Sequence, residues 1–172
     1  ALVGSVVGAL AAGVSPDAVA SMRRATTRLA IRACSSARTV GAKQERALAQ
    51  VLATVHVLVL EDDPLVRWAL VEAMRAAGHH VRAAESLEQA LAIVSRVDAA
   101  VVDLQLPDAG GDEATRALRD ADPGLAIVAY TGSPPGPALP RGADAELVKG
   151  EAGVESVVRI VRHVLIQRAS RP

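Results

Sequence analysis

A doubly wound α/β fold, with five parallel strands in one sheet and a helical extension in front of it, is the architecture that the sequence predicts. Three observations predict it. Short apolar runs rich in Val, Ile and Leu recur from Val55 onward, each the length of a strand buried on both faces. Each run is followed by a stretch with helix start and stop signals, or by a turn-rich connection. A charge break near Thr54 separates this alternating region from a basic leader: residues 1–54 carry seven basic and two acidic side chains, and residues 55–168 carry 11 and 17. Such a break marks a boundary between modules, so residues 1–54 read as a basic helical extension or as the end of an upstream module.

The elements follow in order. Ala1 to Val14 is apolar and uncharged, holds three glycines, and is shorter than the roughly 20 residues that span a bilayer, so no transmembrane segment is expected. It lacks the basic start of a secretory signal. Ser15-Pro16-Asp17 reads as an N-cap, a first-turn proline and a dipole-favoured acid, opening a helix through about Ala33. Arg24, Arg28 and Arg32 recur every four residues opposite Val19, Met22, Leu29 and Ala33. A solvated face docked on a neighbour is the plain reading; contact with an acidic partner, nucleic acid or a membrane surface is the functional one. A second helix is expected over Ala42 to Ala53.

The predicted sheet begins with Val55 to Leu60. Helix Pro64 to Ala77, closed by Gly78, follows. Strand His80 to Ala83 leads to helix Ser86 to Ser95, strand Asp98 to Asp103 to helix Gly111 to Ala121. Strands Leu125 to Tyr130 and Ala145 to Val148 precede a last helix from Glu151 to about Arg168, leaving residues 169–172 as a disordered tail. Five strands with intervening helices make a parallel sheet whose site lies at the carboxyl ends of the strands.

Composition narrows the function. Phe is absent and Trp68 and Tyr130 are the only Trp and Tyr, so single-stranded nucleic acid has almost no stacking platform. Cys34 is the only cysteine; no disulfide can form within the chain, and a reducing, cytoplasmic location is the default.

The acidic residues cluster where the fold predicts a site. Glu61, Asp62 and Asp63 follow the first strand, and Asp103 ends the third. Carboxylates gathered at one edge repel unless a cation compensates them, and oxygen ligands without His or Cys suit Mg²⁺. The fourth strand delivers Thr131 and the fifth Lys149, a hydroxyl and an ammonium able to stabilise phosphoryl oxygens. Asp63 reads mainly as a helix-start residue beside Pro64.

At four strand ends, in order, stand Val-Leu-Val-Leu-Glu61-Asp62-Asp63-Pro64, then Val-Val-Asp103-Leu-Gln105-Leu106-Pro107 with Gly110-Gly111, then Ile-Val-Ala-Tyr130-Thr131-Gly132, and Gly142-Ala-Asp144-Ala-Glu146-Leu-Val-Lys149. On these residues, 55 to about 168 resembles a response-regulator receiver domain, the phospho-acceptor module of two-component signalling with a flavodoxin-like fold. The resemblance implies that Asp103 takes a phosphoryl group from a partner histidine kinase or phosphotransfer protein. It implies Mg²⁺ held by Asp62, Asp103 and the Gln105 carbonyl, with Glu61 on metal-bound water. Thr131 would contact the phosphoryl group, Gly132 would leave room for it, and Lys149 would pair with it. Beyond self-catalysed phosphotransfer and autodephosphorylation no enzymatic activity is expected. A phosphatase of the haloacid-dehalogenase type needs a second Asp two residues past the nucleophile, where this chain has Gln105.

Three positions depart from the family pattern. Glu146 stands where Tyr or Phe usually couples to the threonine, which puts the aromatic switch in doubt, and Gly150 stands where a proline usually follows the lysine. Residues 133–141 hold four prolines where the family places its fourth helix, too many for a regular helix. The output is therefore expected through a protein contact with an unknown effector, by way of the proline loop or the basic leader instead of the common symmetric dimer. No DNA-binding domain is expected after Arg168. A phosphorylation-independent adaptor with a degenerate switch is the alternative. His56, His79, His80 and His163 show no metal-ligand spacing, and His79 and His80 read as loop residues. Trp68 reads as a helix residue or as docking surface for the phosphodonor.

Overall fold

The structure, a computed structural model, describes residues 55–110, 112–133 and 138–170, together with eight scattered positions between Ser15 and Leu29. The apolar leader, the helix expected over residues 42–53 and residues 134–137 lie outside the described residues. Five strands, β1 (His56–Leu60), β2 (His80–Ala84), β3 (Ala99–Val102), β4 (Ala126–Thr131) and β5 (Ala145–Val148), pair all in parallel in the order β2-β1-β3-β4-β5. The helices are α1 (Pro64–Ala76), α2 (Leu87–Ile93), α3 (Glu113–Ala121) and α4 (Val154–Ser170), with a 3₁₀ turn over Val94–Arg96.

Alternation along the central strands builds two cores. Val57 and Val59 of β1 point to one face, where Leu70, Val71 and Met74 of α1 and Val157, Val161 and Val164 of α4 cover them. Leu58 and Leu60 point to the other, against Ala90 of α2 and Ala114 and Leu118 of α3. Both faces of β1, β3 and β4 are thereby closed, which is why these strands read as unbroken apolar runs. β2, an edge strand, keeps His80, Arg82 and Ala83 exposed.

Helix ends follow local chemistry. Asp63 caps α1, its Oδ1 accepting from the N–H groups of Leu65 (2.8 Å) and Val66 (3.0 Å), and these bonds hold its carboxyl below the usual range. At the other end Gly78, at φ 89°, donates to the Arg75 carbonyl and His79 to that of Met74, a Schellman closure that tucks the following residue against the helix. His79 lies in the connection before β2, as expected, and is 4% exposed; His80 opens β2.

Other boundaries shift. α2 stops at Ile93 because the chain tightens into the 3₁₀ turn, Val97 N–H donating to Val94 O at 3.3 Å. α3 starts at Glu113 because Gly110 O accepts its N–H in a preceding turn. α4 starts at Val154, since Ala152 pairs back to Val148 and Lys149; its backbone stays helical to Ser170, beyond the tail boundary placed after Arg168.

The position of helix four is confirmed as non-helical among its described residues, Ser133 and 138–141. Its downstream end is pinned by Thr115, whose hydroxyl donates to Arg141 O at 2.7 Å, and by Asp144. That carboxylate accepts from Arg119 (2.8 Å), Arg168 (2.8 Å) and the Ile127 N–H (2.9 Å), lacing α3, α4 and β4 to the start of β5. The described positions from Ala18 to Leu29 are helical, as predicted. Arg24 on that segment reaches Asp122 at 2.5 Å and Val97 O at 3.4 Å.

Candidate functional site

β1 and β3 are neighbours, and the chain leaves β1 toward β2 on one side and β3 toward β4 on the other. Their carboxyl ends open a crevice at this switch point. Glu61 follows β1 directly, its N–H donating to Ala84 O at 3.1 Å, and Asp103 follows β3, its N–H donating to Leu60 O at 2.8 Å. The ladder therefore sets the two acids side by side. They are 1% and 3% exposed; Asp62 beside them is half-buried.

Lys149 at the end of β5 closes the cluster. Its N–H donates to Thr131 O at 2.7 Å, and its Nζ donates to Asp103 Oδ2 at 2.7 Å and Glu61 Oε1 at 3.0 Å. Burial opposes the ammonium, but hydrogen bonds to Asp103 and Glu61 outweigh it and raise its pKa. Burial dominates at Glu61, which is pushed up to about 7 although Lys149 pulls it down. Glu61 Oε2 lies 2.8 Å from the ammonium without an aligned donor.

The remaining predicted residues surround Asp103. Its Oδ1 accepts from the Gln105 N–H at 3.0 Å, which turns the chain back over the carboxylate. The Gln105 side chain donates to Ser133 Oγ at 3.2 Å, and Ser133 N–H donates to Thr131 Oγ1 at 3.1 Å. A Cβ at Gly132 would stand 2.8 Å from Gln105 Oε1, a contact that the exposed glutamine side chain could relieve by turning aside. The seven residues given a role in the sequence, Glu61, Asp62, Asp103, Gln105, Thr131, Gly132 and Lys149, thus lie around one crevice.

The donor set fits a hard divalent cation. Oxygens of Glu61, Asp62 and Asp103 lie within 4.8 Å of one another, the only such group among the described residues. They are carboxylates alone, three acids with the Lys149 ammonium paired to two of them, a surplus of negative charge that Mg²⁺ would compensate.

Three contributors were not read from the sequence. Arg67 Nη1 donates to Glu61 O at 2.7 Å and Asp62 O at 2.8 Å, holding the acidic turn from the helix side. Ser133 bridges Gln105 to the threonine loop. Tyr130 places its ring 5.8 Å from the Lys149 ammonium and donates to Ala152 O at 3.2 Å. An arginine on the first turn after a capping aspartate is the one signal available for Arg67; the others depend on chain crossings.

Departures from the family pattern take concrete form. Gly150 stands at φ 87°, a conformation proline cannot adopt. Glu146 is half-buried on β5. Trp68 is 67% exposed on α1, with Leu65 one turn before it also exposed.

A response regulator receiver domain model matches residues 57–150, more than half of the chain, and the chain belongs to that family. It is 30% identical over 105 residues to a cyclic di-GMP phosphodiesterase of Thermotoga maritima, covering 60% of this chain and 26% of that protein. It is 31% identical over 120 residues to the response regulator GacA of Pseudomonas viridiflava, covering 64% and 55%. The chain thus spans about a quarter to a half of these relatives. The response regulator TrrA of Thermotoga maritima, solved with Mg²⁺ and BeF, superposes with a TM-score of 0.58 at 23% identity over 64% of this chain and 98% of that one, a likeness of fold. Among the described residues no helix is long and apolar enough to cross a membrane.

Proposed function

We propose that residues 55–168 form a phospho-accepting receiver in which Asp103 is phosphorylated by a partner histidine kinase or phosphotransfer protein, and that residues 1–54 form a separate basic extension. The observation that supports this most is the division of labour on Asp103. One oxygen, Oδ2, is tied to Lys149 and the other, Oδ1, to the Gln105 N–H, which leaves remaining lone pairs on a fixed carboxylate facing the crevice. Attack by such an oxygen on a phosphohistidine forms the P–O bond of an aspartyl phosphate as the P–N bond breaks.

Glu61, Asp62 and Asp103, with the Gln105 carbonyl, are the residues that would hold Mg²⁺, which when bound neutralises charge on the transferring group. Lys149 offsets the negative charge of acceptor and phosphoryl oxygens together. Thr131 stands at the neighbouring strand end to donate a hydrogen bond to the arriving group, and Gly132 leaves the space. Signalling would proceed in the cytoplasm through a protein contact. A second reading, an adaptor indifferent to phosphorylation, draws on Glu146 and Gly150, where the usual coupling residues are replaced.

Acetyl phosphate or a beryllofluoride mimic with Mg²⁺ tests the assignment. One adduct per chain by intact mass or fluorine resonance, absent without Mg²⁺ and absent in Asp103→Asn, is expected. Retention in that variant would sink the role given to Asp103. An adduct that leaves sedimentation and amide exchange unchanged would favour the adaptor.

A further inference from the structure

The sheet holds two of the three clustered acids and leaves the third to the turn. Glu61 takes its place from its N–H bond to Ala84 O, and Asp103 from its own to Leu60 O. β1 ends at Leu60 and the cap of α1 is Asp63, so Asp62 lies past the last ladder bond and ahead of the helix. Among the described residues none donates a hydrogen bond to its carboxylate. Its direction is therefore set by the course of the main chain.

Arg67 fixes that course. It stands one turn into α1, its own N–H donating to Asp63 O at 2.9 Å, and its guanidinium reaches back over the turn. Nη1 donates to Glu61 O at 2.7 Å and to Asp62 O at 2.8 Å, hydrogen bonds of the stronger, charge-assisted kind. These two carbonyls belong to the planar peptide groups on either side of the Asp62 Cα, so holding both fixes φ and ψ there and with them the direction of the Cα–Cβ bond. The ion pair with Glu85, at 3.6 Å and with that acid 59% exposed, contributes little beside them.

We propose, on the reading that these three acids hold Mg²⁺, that Arg67 is a positioning residue for the cation: by clamping the backbone at Asp62 it aims that carboxylate at those of Glu61 and Asp103. Two effects of the guanidinium oppose each other. Its charge repels a cation and weakens binding, whereas its clamp orders a ligand in advance and strengthens it. The charge stands at the rim, 20% exposed, where solvent and salt screen it, while partners that orient metal ligands are worth about 10–100-fold in affinity. The clamp prevails.

Calorimetric titration of the full chain with Mg²⁺ at fixed pH and ionic strength tests this, beside urea unfolding with and without Mg²⁺. Arg67→Gln, too short to reach both carbonyls, should bind Mg²⁺ ~10-fold or more weakly. Arg75→Gln, which removes an exposed charge from the last turn of the same helix, should bind as the parent does. Arg67→Lys keeps a charged donor and should lie between the two, so the comparison survives if the glutamine variant unfolds. The gain in urea midpoint on adding Mg²⁺ should shrink in both Arg67 variants; a midpoint lowered equally with and without Mg²⁺ would make the arginine structural only. Equal affinity in Arg67→Gln and the parent, tighter binding in that variant, or the same loss in Arg75→Gln would overturn the proposal and leave the Mg²⁺ site standing. A parent chain that binds no Mg²⁺ would overturn both.

Discussion

Lys149 Nζ stands 2.7 Å from Asp103 Oδ2 and makes its second carboxylate bond to Glu61, so one ammonium is shared between two buried acids. Its removal leaves those carboxylates facing each other. Lys149→Ala should destabilise the metal-free protein by about 2 kcal/mol, below the ~3–5 kcal/mol for breaking a fully buried pair, because the lysine is 21% exposed. Mg²⁺ should restore most of that stability while adduct formation stays impaired. Thermal melts with and without Mg²⁺ beside intact mass check both halves; a large loss that Mg²⁺ leaves unchanged would make the lysine purely structural.

Glu61 sets a pH dependence. Burial raises its pKa from 4.5 to about 7, above its unfolded value, so its contribution to metal-free stability is greatest below pH 4.5 and is lost as pH rises through about 7. Mg²⁺ binding competes with that proton. The apparent affinity should therefore rise about 10-fold from pH 6 to 8 and flatten above, as titration calorimetry would show. A pH-independent affinity would contradict the shift.

His79 acts in the opposite sense. Its pKa is lowered by burial and by Arg162, so its contribution is present above the unfolded value near 6.5 and is lost as pH falls through the folded one. His79→Leu fills the site without unpaired nitrogens and should be neutral or stabilising by ~1 kcal/mol at pH 7, with a larger gain at pH 5. Urea unfolding at the two pH values measures it; a loss above ~2 kcal/mol at pH 7 would mean that the ring is already satisfied.

Two glycines with the same backbone angle should respond differently to alanine. Gly142 (φ 89°) would put a Cβ 2.6 Å from the Thr115 carbonyl oxygen, whereas Gly150 (φ 87°) has nothing within 4 Å. Gly150→Ala should cost about 1–2 kcal/mol, the backbone penalty alone. Gly142→Ala adds displacement of α3 and should cost about 3 kcal/mol or more. Equal melting shifts would refute the steric argument.

Legibility in the sequence followed local information. β1, β3 and β4 were readable because both faces are buried, and the acids because each stands one step past a strand. Asp63 as a cap was readable from its proline neighbour. His79 was not: its burial comes from the Schellman turn after Gly78 combined with the packing of α4. Arg67 reads like any amphipathic-helix arginine until the β1–α1 turn brings two carbonyls to it. The Lys149–Glu61 bond joins residues 88 positions apart, and only the strand order makes them neighbours.

The Asp144 junction separates the position of β5 from the course of the chain that leads to it. Because that carboxylate grips two helices and the β4 backbone, and Thr115 anchors Arg141, the fifth strand is registered from its own start. The bonds that register β5 therefore start at Arg141 and Asp144, downstream of residues 134–137. Segments of other lengths and compositions should be graftable between Ser133 and Leu139 without moving Lys149, which makes this loop the natural place for the molecule to acquire new partners while its acceptor chemistry stays the same.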